Sequence, residues 1–221
     1  MIKKTIRLLM PQWQGGNNPN YSFGAELLAW LAPDNDQPLI KVPVQAYDGT
    51  PLENENGLNG RKQLLEQLEA AQHIIHAHKP DRIVMFGGDC LVEQAPFAYL
   101  NERYGGELGL IWIDAHSDLV RIVGYDYGHI LPLGNLLGEG DEEFAKHVKI
   151  PLKPENIFMA GNPEAPYNFS AAGTMQMPQL LHLIKQLSEE TDVVGLGITE
   201  HLPWDSIHLK NLLGEIPILH N

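Results

Sequence analysis

The chain of 221 residues is 43% hydrophobic, enough to bury a sizeable core, and its 15 basic against 28 acidic side chains leave a net charge of −13. That balance argues against a nucleic-acid backbone as partner, and no stretch approaches the roughly 18 apolar residues of a membrane span. One cysteine excludes an internal disulfide and fits a cytoplasmic protein, as does a start without the apolar region and cleavage site of a secretory signal. A small cationic substrate is drawn to such a surface, although solubility accounts for the charge equally well.

In chain order, Thr5–Met10 reads as a first strand, followed by a Gly- and Asn-rich loop, Gln14–Asn20, suited to a pocket mouth. A helix is expected over Phe23–Leu31 and a second strand over Leu39–Val44. Leu58–His78 is the clearest helix, because Leu64, Leu68, Ala71 and Ile75 share one buried face, and Pro80 stops it. Arg82–Phe86 is a short strand running into Gly87, Gly88, Asp89 and Cys90, after which a helix reaches about Arg103. A strand ending at Asp114 comes next, then the Gly128–Gly140 segment and a Pro-rich stretch, Pro151–Pro166. A helix near Gln179–Glu190, a strand at Asp192–Ile198 and a last helix over Trp204–Leu213 complete the series. This alternation predicts an α/β fold, a single domain over residues 1–221 in three layers, with helices on both faces of a parallel sheet.

The chemistry concentrates in the run Ile111 to Asp118, where an apolar strand ends in Asp114, His116 and Asp118. Residues two apart share a face if extended pairing continues through the motif, so these three converge at the carboxyl end of the strand, where open α/β sheets place their sites. Two carboxylates and an imidazole suit Mn²⁺, Zn²⁺ or Fe²⁺. A polar turn in which Asp118 caps the next helix explains the same residues without a metal.

Four pieces occur in order: Gly87-Gly88-Asp89-Cys90, the DAHSD run at Asp114–Asp118, His129 within GHILPLGNLLG, and Thr199-Glu200-His201-Leu202-Pro203. Together they resemble the ureohydrolases, the family of arginase, agmatinase and formiminoglutamase, over roughly Arg82–Leu213. The resemblance implies an arginase-like fold, hydrolysis of guanidino or amidino groups, and a pair of Mn²⁺ ions bridged by hydroxide. It makes Asp114, His116 and Asp118 metal ligands, with Asp114 bridging both ions, and makes His129 the histidine that shuttles a proton above them. Glu200 matches the late carboxylate that orients the guanidinium, a planar cation best held by parallel hydrogen bonds. Homo-oligomers are common in the family and are expected here. Without the resemblance, His129 reads as a surface or capping histidine and Glu200 as an acid favouring the N-terminus of the last helix.

The departures are specific. Cys90 stands where the family has a metal-binding histidine; a thiolate ligates Zn²⁺ or Fe²⁺ well but is softer than Mn²⁺ prefers, and a buried cysteine with no metal fits equally. The family's SxDxDxxDP element has no counterpart between His129 and Glu200, and Phe158–Gly173 contains no Asp. Either a segment bearing a strand and two carboxylate ligands is absent, the reading favoured here, or Thr199 and His201 take those places. Asp114, His116, Asp118 and Cys90 then suffice for one ion with an open position, which leaves one ion or Zn²⁺ as the alternative to the Mn²⁺ pair. Asp205 and His208 contribute only if the last helix moves inward. Val120 replaces the asparagine by which arginases contact the substrate's α-carboxylate, so arginine is not singled out.

The leading reading is a metal-dependent hydrolase splitting a guanidino or amidino carbon–nitrogen bond through metal-bound hydroxide, acting on a small cation. The alternative is an arginase-fold protein without turnover that binds or assembles. A metallophosphoesterase needs its DxH element ahead of its GD element, and the order here is reversed.

Overall fold

A computed structural model describes residues 3–119, 121–160 and 175–220. Val120, and the part of the Asp-free stretch beyond Ala160, lie outside them. The elements are β1 (Thr5–Met10), α1 (Asn20–Leu31), β2 (Leu39–Lys41), β3 (Asn54–Glu55), β4 (Leu58–Asn59), α2 (Arg61–His78), β5 (Arg82–Gly87), α3 (Gln94–Arg103), β6 (Leu110–Ile113), α4 (Pro132–Leu136), α5 (Glu142–Ala145), β7 (Ile157–Ala160), α6 (Met177–Glu190), β8 (Gly195–Ile198) and α7 (Ser206–Gly214).

β2, β1, β5 and β8 pair in that order, every ladder parallel, with Thr5 opposite Arg82 and Ile83 opposite Gly195. β6 and β7 form a separate parallel pair, Leu110 opposite Ile157. Side chains alternate across the main sheet. On one face Ile6, Leu8, Met10, Ile83 and Met85 pack with Leu64, Leu68, Ala71 and Ile75 of α2 and with α3. On the other, Leu9, Val84 and Phe86 pack with Ala25, Leu28 and Leu31 of α1 and with Leu213, Ile216 and Leu219. The result is the expected three-layer α/β architecture with a parallel sheet between helices. Truncating a fully buried member such as Leu64 to alanine is worth about 2–5 kcal/mol. Among the described residues no helix is long and apolar enough to cross a membrane.

Several boundaries differ from the sequence expectation for local reasons. α1 begins at Asn20 rather than Phe23, since the Asn18 side chain accepts the Asn20 N–H at 3.1 Å and Pro19 precedes the first turn. α2 begins at Arg61 because Leu58–Asn59 belongs to a hairpin whose turn is Asn56-Gly57, both at positive φ, the pairing a two-residue turn favours. Its other end is as expected: Lys79 is left-handed, its N–H bonds the Ile75 carbonyl, and Pro80 follows. Cys90–Glu93 is a 3-10 turn ahead of α3. The Pro-rich stretch hides β7, which starts directly after the short 3-10 turn Pro154–Asn156.

Candidate metal and catalytic site

The carboxyl ends of β1, β5, β6 and β8 meet at one place. After β5 the backbone of Gly88 presses on the β1 loop so closely that a Cβ would lie 1.8 Å from the Gln12 carbonyl oxygen. Asp89, fully buried, accepts hydrogen bonds from Gln12 Nε2 at 2.9 Å, the Gly15 N–H at 2.8 Å and the Leu91 N–H at 3.1 Å. Burial pushes its carboxyl up to about 7 against the pull of those bonds. Asp89 thus fastens the loop after β1 to the end of β5, and its cap on the next turn aims Cys90 at the sheet edge.

Cys90 Sγ lies 3.8 Å from Asp114 Oδ2 and 3.6 Å from Thr199 Oγ1. Ligand atoms of Cys90, Asp114 and Asp118 all lie within 4.8 Å of one another. Burial raises all three above their ordinary pKa, and the Asp114 charge adds to the rise at Asp118. Asp118 is 5% exposed, and its Oδ2 has no hydrogen-bond partner. A buried carboxylate oxygen left unbonded, facing a second carboxylate and a thiol, is costly unless a cation is shared among them. The donor set therefore fits a divalent ion.

The route to this cluster differs from the expectation. β6 ends at Ile113, and extended geometry does not continue through the motif. Asp114 still donates its N–H to Ala160 of β7, but its carboxylate turns back to accept the His116 N–H at 2.7 Å, and Asp118 adopts φ 49°. That left-handed residue, not strand alternation, carries Asp118 to the cluster. His116 sits outside it, with Nδ1 3.3 Å from Asp114 Oδ1.

Beside the cluster, His129 Nδ1 lies 2.6 Å from Glu200 Oε1 and its Nε2 2.9 Å from the Tyr125 hydroxyl. Burial works against charge on His129, but the Glu200 bond and the charges of Glu200, Asp89 and Asp118 outweigh it and raise its pKa. Burial alone would raise Glu200; the bond and charge of His129, with hydrogen bonds from Cys90 and Tyr21, hold it below its ordinary value. Each favours the charged form of the other. Glu200 is anchored by its backbone, at φ 57° with its N–H on the Gly88 carbonyl at 2.6 Å. Glu200 stands five residues short of the cap of α7, so dipole support of that helix is not its role.

Asp114, Asp118, Cys90, His129 and Glu200 thus converge. Asp205 and His208 bond each other on an exposed surface, and α7 has not brought them inward. Tyr21 and Tyr125 had gone unassigned a part in the site, and Thr199, weighed only as a substitute ligand, lies 3.6 Å from Cys90 Sγ. Tyr125 stands four residues ahead of His129, and Tyr21 directly follows the loop expected at the pocket mouth, the only signals in the sequence for either. A cavity of about 680 Å³ runs between β6 and β8 and ends on Cys90, Asp114 and Thr199.

Comparison with known proteins bears on the family and the fold. The model of the arginase family matches residues 28–162. Arginase from Staphylococcus aureus strain MRSA252 is 31% identical over 132 residues, which is 58% of this chain and 43% of that enzyme; arginase from strain COL is 35% identical over 80 residues, 35% of this chain and 26% of the enzyme. The chain thus matches less than half the length of these curated relatives. Among solved structures, Entamoeba histolytica arginase in complex with L-ornithine superposes with a TM-score of 0.81 at 11% identity over 97% of this chain and 96% of that one. Bacillus subtilis arginase gives 0.78 at 15% identity over 96% and 97%. These likenesses show the fold. The family match spans more than half of the sequence and takes in the Cys90 turn, the Asp114–Asp118 run and His129, so the chain belongs to the arginase family.

Proposed function

We propose that the protein is a metal-dependent hydrolase of a guanidino or amidino carbon–nitrogen bond. The observation that carries this reading is the His129–Glu200 pair, 2.6 Å apart, set against the buried thiol and two carboxylates of Cys90, Asp114 and Asp118. These three would hold a divalent cation, and the thiol favours Zn²⁺ or Fe²⁺ over the Mn²⁺ of the family resemblance. Such a cation supplies Lewis acidity and lowers the pKa of water. With three protein ligands, one ion is favoured over a pair.

The chain's own residues do the rest. Glu200 is kept ionised by its partners and accepts parallel hydrogen bonds from a planar guanidinium or amidinium group, which orients the central carbon toward the cluster. His129 holds a proton at Nδ1, shared with Glu200, and delivers it to the departing amine nitrogen as a water oxygen bonds to that carbon and the carbon–nitrogen bond breaks; the proton given up by that water replaces the one His129 delivers. Tyr125 fixes the ring from Nε2. His116, outside the cluster, acts on Asp114 rather than as a first choice of ligand. Assembly as a homo-oligomer in the cytoplasm completes the reading.

The test is turnover of L-arginine, agmatine and N-formimino-L-glutamate by protein loaded separately with Zn²⁺ and Mn²⁺, followed by amine release. Chelator-sensitive turnover of one of them, lost in His129→Asn, is the expected result. Metal-loaded protein that turns over none would contradict it and leave the binding role.

A further inference from the structure

The parallel sheet is interrupted between β8 and β6. In a parallel strand the N–H and C=O of one residue point to the same side, and successive residues alternate. The Val194 carbonyl accepts from Ile83 of β5, and the Asp114 N–H donates to Ala160 of β7. Alternation therefore turns the peptide groups of Gly195 and Gly197 on β8, and of Ile111 and Ile113 on β6, toward the cavity between the strands. Among the described residues no backbone hydrogen bond reaches them. Two facing rows of open donors and acceptors are a template for one more strand.

The cavity has the size of such a strand. A strand residue occupies about 160 Å³, given a rise of about 3.3 Å, a neighbour spacing of about 4.8 Å and about 10 Å between packed layers. The 680 Å³ available therefore hold about four residues, the length of β6 and of β8. Both covering layers are already in place, with Phe97 and Leu100 of α3 on one side and Ile184 and Leu187 of α6 on the other. They are underused: α6 has no fully buried residue, and Ile113 is 41% exposed.

Two buried polar groups in the cavity wall also lack partners. Glu93 is 5% exposed and its Oε2 has no hydrogen bond; the same holds for Trp112 Nε1. Glu93 lies against β8, where a Cβ on Gly197 would fall 1.9 Å from its Oε1. Burial pushes its carboxyl up to about 8, so near neutrality it offers both a donor and an acceptor. A purely apolar occupant would leave both groups orphaned.

We infer that the gap between β6 and β8 binds an extended segment of another polypeptide, added as a parallel strand that presents a hydroxyl or similar hydrogen-bonding side chain to Glu93 and apolar side chains to α6. β6 and β8 run the same way, since their carboxyl ends open on the same residues, Cys90, Asp114 and Thr199, so a single added strand can run parallel to both. The gap borders the metal cluster, with Cys90 and Asp114 at its end, but the inference does not rest on the hydrolase reading.

The probe is the acetylated, amidated peptide KTVTVTK, whose alternation offers hydroxyls to one face and valines to the other, with KTVPVTK as a control of equal charge that cannot pair continuously. Hydrogen exchange over residues 110–114 and 194–199 is followed with the full chain at screening salt. KTVTVTK is expected to slow exchange there about tenfold or more and the control to have no effect. Ile111→Pro removes a gap-facing N–H and should abolish the protection; Glu93→Leu, which keeps the volume, should weaken it for KTVTVTK while leaving the fold intact. Equal protection by both peptides would mean a general apolar site and would overturn the inference. So would no protection at millimolar peptide, or protection that rises with the chain's own concentration, which would assign the gap to a second copy.

Discussion

Two clusters of buried charge in this molecule are built in opposite ways. Arg61, 6% exposed, donates to both carboxylate oxygens of Asp141, at 2.8 and 2.6 Å, and to Glu143 at 2.6 Å. The Asp141 carboxylate also caps α5 through the Glu143 N–H, so its charge is answered from several directions. Around Cys90 the reverse holds: Asp114 and Asp118 face each other and a thiol, and among the described residues neither forms an ion pair with a lysine or arginine. Both clusters are buried, yet one is closed and the other is open toward a missing positive charge. The closed cluster anchors the first turn of α2 to α5, and the open one is where the proposed chemistry would sit.

Removing Arg61 should have the largest effect on the fold. Arg61→Ala leaves Asp141 buried without its partner, and urea unfolding is expected to show a loss of about 3–5 kcal/mol. The open cluster should respond in the opposite sense. Asp118→Asn removes an unbonded buried carboxylate oxygen, so stability without metal should hold or rise, while metal affinity and turnover fall roughly 100-fold or more, at or beyond the loss of an outer partner. Parallel loss of stability in both variants would erase the contrast.

A smaller effect separates the clusters by pH. Arg61 holds the Asp141 carboxyl below its ordinary value, against the effect of burial. A depressed carboxyl stabilises the fold above its unfolded pKa and loses that contribution as pH falls through the folded value, below about pH 4. Asp141→Asn should flatten the acid limb of the stability curve and leave neutral pH behaviour to the lost ion pair alone. The smallest effect is expected at the exposed Asp205–His208 pair, where His208→Ala should change neither metal content nor stability by more than about 0.5 kcal/mol.

Much of the main sheet could be read from the chain, for a physical reason. Thr5–Met10 is a six-residue run carrying Ile6, Leu8, Leu9 and Met10 and ending at Pro11, and α2 repeats its apolar residues at helical spacing, so each element's own pattern fixes it. β7 was hidden because four residues between prolines carry too little periodicity, and the Asn56-Gly57 hairpin because the helix expected over Leu58–His78 covers its second strand. At the site, Cys90, Asp114, Asp118, His129 and Glu200 were legible through motif order. What brings them together was less so: the left-handed backbone at Asp118 and Glu200 depends on tertiary contacts, Glu200 through its bond to Gly88. The open edges of β6 and β8 follow from an expected missing strand, but only the fold shows that the gap keeps both covering layers and an orphaned Glu93.

The most direct measurement is metal per chain by elemental analysis after dialysis against Zn²⁺ and, separately, Mn²⁺, for the native sequence and for Asp118→Asn. The account predicts one tightly held ion per chain, zinc in preference to manganese, and its loss from the variant. No bound metal in the native protein, or equal occupancy in the variant, would contradict it.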